Sequence, residues 1–207
     1  MAGAAQAAPT KASEDEALMV IGNPSVFAIE SRITEAYERL GQRALGFFVI
    51  HVGDRRFGVC ESDATMLGCS FDTVQRRVAR RGVHTASFAI EPDAGKIADA
   101  FRHAVYAEDQ DESYFGIPRA QFSKLFDRDS NDLMWAPDGD EAFDDGSYVL
   151  QFDVKDRVRL IAFKSSEGFV HDPATLSDVW LPADEFYRVL QQWQEAFDSE
   201  WAALPKI

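Results

Sequence analysis

Apolar and polar positions alternate in two distinct periods along the chain. Phe27, Ile29 and Ile33 share one parity while Glu30 and Arg32 take the other, which predicts a half-buried strand over 27–33. A helix over 33–40 competes with it. The run 44–52 is densely apolar, with Phe47, Phe48, Val49 and Ile50, and Gly53-Asp54 then leads into 56–59, the pattern of a β-hairpin. A second hairpin is expected from 147–154 and 157–163 across Lys155-Asp156. Val149, Val154, Val158, Leu160, Ile161 and Phe163 would feed the core from it. Residues 87–90 and 179–181 read as short strands.

From Ser70 the spacing becomes helical, with Phe71, Val74 and Val78 on one face and Gly82 as the stop. A second helix is predicted from about Asp93, with Ile97, Ala100, Phe101, Ala104 and Val105 at core spacing. The last helix is the clearest element. Pro182, Asp184 and Glu185 suit its first turn, and Phe186, Val189, Leu190, Trp193, Phe197 and Trp201 form an apolar stripe that ends before Pro205. The stripe reads as core, with Trp201 left exposed. Between 107 and 146, short apolar patches alternate with turn residues and acids, which predicts loops and one short helix after Pro118. The fold class is therefore α+β: a mainly antiparallel sheet built from hairpins, flanking helices and a long amphipathic C-terminal helix.

Composition adds domain boundaries to this picture. The first residues are Ala-rich and acidic at Glu14, Asp15 and Glu16, so 1–18 is expected to be a disordered extension and 19–207 a single domain. No basic start with an apolar run marks a secretory signal, and no stretch approaches the ~20 apolar residues of a membrane span. Cys60 and Cys69 read as reduced thiols in a cytoplasmic protein. With 46% hydrophobic residues the chain can still bury a core.

Charge changes the picture more. The formal net charge is −14, from 35 acidic against 21 basic residues. Between 107 and 145, twelve acids face only Arg119, Lys124 and Arg128. Such a field repels nucleic acid and anionic membranes and steers cationic partners. A basic protein is the expected partner. The alternative is a nucleic-acid-binding module that grips phosphate through Arg76, Arg77, Arg80 and Arg81; a solvated face matched to the helix dipole is the simpler reading of those arginines.

Signatures of chemistry are missing from the sequence. His51, His84, His103 and His171 stand apart, and no phosphate loop, dinucleotide fingerprint, nucleophile elbow or zinc motif occurs. Asp127, Asp129 and Asn131 imitate the start of a calcium loop, but Asp132 stands where the sharp turn needs Gly and Asp138 where a bidentate Glu belongs. The chain reads as a non-enzyme without metal or cofactor.

Two segments carry a family resemblance: Ile21-Gly22-Asn23-Pro24-Ser25-Val26-Phe27-Ala28-Ile29-Glu30, and Val179-Trp180-Leu181-Pro182-Ala183-Asp184-Glu185-Phe186-Tyr187 with Leu190, Trp193 and Trp201 beyond it. They resemble immunity proteins of bacterial contact-dependent growth inhibition and related polymorphic toxin systems, in particular the group called immunity protein 42. The resemblance implies a cytoplasmic protein that binds the C-terminal toxin domain delivered by a neighbouring cell and blocks it. Such toxins are often nucleases, whose phosphate-binding face is basic. No contact residue transfers by motif. Charge alone selects Glu108, Asp109, Asp111, Glu112, Asp138, Asp140, Glu141, Asp144 and Asp145 as toxin-binding, with Tyr114, Phe115 or Trp135 as aromatic anchors.

Overall fold

The computed structural model describes residues 18–108, 112–135 and 140–207. The extension expected over 1–18 lies, save for Leu18, outside them. The first sheet is antiparallel throughout, in the order β1 (Met19–Asn23), β2 (Phe27–Ala36), β3 (Ala44–Val52), β4 (Arg55–Phe57), with short β5 (Thr65–Met66) also on β3. Phe27, Ile29 and Ile33 enter the core as read, but β2 is more than half-buried, because Ala28 and Glu30 on its other face are covered as well. The competing helix over 33–40 does not form, because β2 continues to Ala36 along β3. Its register shifts between Ile33 and Glu35, opposite Gly46. A Cβ at Gly46 would lie 1.9 Å from the Arg32 carbonyl oxygen, so only glycine fits beside this bulge. β1 is an element the pattern does not announce. Gly22-Asn23-Pro24 reads as a break, but Gly22 and Asn23 end β1 and the turn to β2 runs through Pro24, Ser25 and Val26, closed by Val26 N–H to the Asn23 carbonyl at 2.9 Å.

After a two-strand ribbon of β6 (Ser113–Tyr114) and β7 (Ile117–Pro118), the second sheet runs β10 (Ser177–Pro182), β9 (Arg157–Lys164), β8 (Ser147–Val154). Nearly every residue of β8 and β9 is buried, so this hairpin is covered on both faces. Val149, Val158, Leu160 and Ala162 join the core against the first sheet. Tyr148, Leu150, Phe152, Ile161 and Phe163 join a second core beneath the middle helices. Burial on both faces explains why these strands read as near-continuous apolar runs.

Among the described residues, four α-helices complete the fold: α1 (Leu67–Ala79), α2 (Ala94–Tyr106), α3 (Arg119–Lys124) and α4 (Ala183–Ala203). α1 starts three residues before Ser70. α2 is capped by Asp93, whose carboxylate accepts from Lys96 N–H at 3.2 Å. α3 is the short helix expected after Pro118. α4 lays Phe186, Leu190, Trp193 and Phe197 into the first core, and the Trp193 indole donates to Ser31 Oγ at 2.9 Å.

Two local expectations fail. Residues 87–90 form a 3-10 turn and not a strand, because Phe88 and Ala89 are both buried and adjacent strand residues point to opposite faces. Trp201 is half-buried: its indole N–H lies 2.8 Å from the Arg43 carbonyl and 3.1 Å from that of Tyr37, and the Arg43 and Lys206 cations lie over its ring.

Candidate functional site

Of the nine acids selected by charge, Asp109, Asp111 and Asp138 lie outside the described residues. The other six fall into two groups. Glu108 is exposed just beyond α2, and Glu112 leads into β6. Glu112 is tied to its surroundings: the Tyr114 hydroxyl donates to it at 2.6 Å and His103 Nδ1 lies 3.0 Å away.

Asp140, Glu141, Asp144 and Asp145 occupy a 3-10 turn and its flanks just before β8. Asp140 caps that turn by accepting from Ala142 N–H at 3.1 Å. Asp145 accepts from Ser147 N–H at 3.1 Å and pairs with Lys164 at 2.7 Å. Among the described residues, Asp140, Glu141 and Asp144 have no such cation. Burial pushes the Asp140 carboxyl above the usual carboxylate range, and the charges of Glu141 and Asp144 add to the rise against the opposing bond from Ala142. The field extends to α1, where burial, Asp140, Asp72 and Glu141 raise the Cys69 thiol. A thiol held protonated in this way is a poor nucleophile.

Partners within the protein occupy the arginines of the nucleic-acid alternative. Arg77 is fully buried and donates to the carbonyls of Asp132 and Met134 and to Gln151 Oε1, at 3.0, 2.6 and 3.1 Å. Burial lowers its pKa to about 10, although Asp132 opposes the shift. Arg76 pairs with Asp132 at 3.1 Å, Arg80 donates to the carbonyls of Arg128 and Ser130, and Arg81 pairs with Asp184. Arg76, Arg77 and Arg80 clamp the 126–135 loop, which contains the imitation calcium motif, while Arg81 stays on the surface in its pair with exposed Asp184 of α4. Asp132 is buried at φ 51° against Arg76 and Arg77, and Asn131 donates to the Thr85 carbonyl at 2.7 Å. Among the described residues, no group of three or more His, Cys, Asp or Glu side chains is placed to hold a metal ion.

The histidines serve four separate places. His51 lies 2.6 Å from Glu30 on the outer face of the first sheet, and His171 lies 2.6 Å from Asp99 on α2. His103 joins the Tyr114 and Glu112 contacts. His84 is buried with Nδ1 at 3.0 and 3.1 Å from the carbonyls of Asn131 and Asp132. A groove of about 640 Å³ opens between α1, α2 and α3, and Arg76 and Arg119 in its walls are committed to Asp132 and to the carbonyls of Ala104 and Ala107.

Of the three candidate anchors, Trp135 is corrected to core: it is 1% exposed, packed among Phe27, Phe186 and the Arg77 guanidinium. Tyr114 is half-buried and Phe115 is exposed. The structure adds two residues without a periodic signal, Asp72 beside the acidic turn and the exposed Phe169. For Phe169 the one sequence cue is the glycine before it, which mirrors Phe115-Gly116.

Comparison with known proteins places these features. A sequence model described as immunity protein 42 matches residues 19–196. A crystal structure of CdiI from Burkholderia dolosa AUO158 superposes with a TM-score of 0.55 at 18% identity, covering 86% of this chain and 99% of that one. No curated protein sequence matches. Among the described residues, no helix is long and apolar enough to cross a membrane.

Proposed function

The chain belongs to the immunity protein 42 family, and from that premise we propose that it neutralises its cognate toxin domain by stoichiometric occlusion through an acidic surface. The toxin of this reading is basic, and a nuclease fits best, because an enzyme that holds phosphate needs a cationic face that clustered carboxylates can occupy. Binding takes place in the cytoplasm, without catalysis.

One observation carries the reading. The cations of α1 are paired internally, whereas Asp140, Glu141 and Asp144 crowd one another without a counter-cation among the described residues. Mutual repulsion raises the free energy of that turn in the unbound protein, and a partner's Lys or Arg would relieve it. Glu108 and Glu112 form a separate acidic group, which this reading takes as a second contact.

The test joins growth and binding. Co-expression with the toxin domain encoded immediately upstream should restore growth, and the two should co-purify in a one-to-one complex. Reversing Asp140, Glu141 and Asp144 together to Lys should slow association at least tenfold. An unchanged association rate would remove the acidic contact. Nucleic acid left intact by the free toxin would remove the nuclease.

A further inference from the structure

Among the described residues, only two aromatic side chains are exposed: Phe115, 37% accessible, and Phe169, 44% accessible. Both sit where the backbone disfavours them. Phe115 and Gly116 form the two-residue turn between β6 and β7 with φ of 52° and 78°, both positive, as a type I′ turn requires. Phe169 follows Gly168 in the loop after β9, at φ 59° and 76° respectively. Asn or Gly occupies such positions without strain, whereas a bulky side chain is an outlier there. Twice the chain places phenylalanine where the turn prefers asparagine and where water meets the ring. Phe115 packs one face of its ring on Phe88 and leaves the rest to water, and strained backbone of this kind concentrates at functional sites.

The two tips are linked through Val170, which follows Phe169 in the chain. Phe115 and Val170 line a shared groove of about 490 Å³, and Ile90, 69% exposed, lines an adjoining one on the other side of Phe115. The patch is held firmly. Phe115 stacks on buried Phe88 at 5.1 Å and 17°, and the Phe169 loop is fixed by His171, whose backbone N–H donates to Asp99 at 2.9 Å. At its other end that loop joins the acidic turn, because Ser165 N–H donates to the Gly146 carbonyl at 2.9 Å. The surroundings are mostly acidic, with Glu91, Asp99, Glu112 and Glu167 against Lys96.

We propose that Phe115 and Phe169, with Val170 and Ile90, are the anchor by which this protein docks on its toxin domain, filling an apolar depression ringed by Lys and Arg. The proposal rests on the toxin-binding reading above and adds the short-range contact to its long-range charge. Two further occupants fit worse: a second copy of this chain would set acid against acid, and nucleic acid would be repelled. Rigid aromatics inside a charged rim are the arrangement of binding hot spots.

The decisive variants are Phe115→Asn and Phe169→Asn, alone and together in the full chain, because asparagine relaxes both turns while deleting both rings. Titrated against the upstream-encoded toxin domain, the double variant should bind roughly 30-fold or more weakly, chiefly through faster dissociation, with Tm unchanged or raised. Phe169→Asn alone carries the test if the double variant loses Tm through the lost Phe88 stack. Wild-type affinity in a folded variant overturns the anchor and leaves neutralisation standing. Conversion of a dimer to a monomer at unchanged toxin affinity overturns it in favour of self-association. If the wild-type chain fails to bind that toxin domain, the toxin-binding reading falls first and the anchor falls with it.

Discussion

At the scale of single residues, the interior is organised around polar groups that the hydrophobic pattern does not show. Arg77 joins α1 to the 126–135 loop and to β8 through Gln151, and β8 reaches α4 where the Tyr187 hydroxyl donates to Asp153 at 2.9 Å. Replacing Arg77 by Ala should cost about 3–5 kcal/mol in urea unfolding, because the buried carbonyls of Asp132 and Met134 and the Gln151 amide oxygen lose their donor, a cavity opens, and Asp132 keeps only Arg76 and Arg80. His84 gives a pH dependence. Burial and the Arg77 charge hold its pKa below the ordinary 6.5, and its buried Nε2 has no hydrogen-bond partner among the described residues. Above pH 6.5 both folded and unfolded chains carry a neutral imidazole and stability is complete. Below it the unfolded chain takes up a proton that the folded one refuses, so stability falls as pH drops toward the lowered folded value. Thermal melts between pH 7.5 and 5 should show this decline, and His84→Gln should flatten it. Neither role was legible in sequence. Arg77 sits in a run with Arg76, Arg80 and Arg81, and only burial separates a clamp from a basic face.

At the scale of elements, periodicity succeeded wherever one face met the core. α2 and α4 follow their stripes because each turns one broad face to the core, whereas β2 and β3 are buried on both faces and show their strand character through dense Phe, Ile and Val. Trp193 shows how completely α4 is docked: it is fully buried, packs edge-on to Phe48 at 5.1 Å and bonds Ser31. Trp193→Ala should therefore cost about 3–5 kcal/mol, read as a shift in the guanidinium midpoint. Prediction failed where tertiary contact set the local conformation. β1 and β5 are too short to show a period, and β1 exists because β2 offers it an edge. The 87–90 turn curls because Phe88 is drawn into the second core with Phe122 and Phe152. Trp201 is covered because the chain after α4 returns to β2, where Ile207 N–H donates to the Ala36 carbonyl at 2.9 Å.

At the scale of the molecule, a net charge of −14 would make association with the proposed basic toxin a matter of long-range attraction. The association rate should fall by roughly one to two orders of magnitude from low salt to about 0.5 M, while dissociation changes little. A salt-independent association rate would sink the steering role. Sequence alone determined the α+β class, the two hairpins, the last helix and the family, because these depend on periodicity and on short motifs at the two ends of the folded region. It also located the excess acid, which is a sum over residues and needs no geometry. Tertiary structure decided which charges are free and which are paired: it buried Arg77 and Trp135, paired Arg81 with Asp184, and left Asp140, Glu141 and Asp144 crowded together. It also brought Phe115 and the Phe169-Val170 loop to one groove from turns 54 residues apart. Exposure and pairing are relations between distant parts of the chain, so no local pattern could supply them.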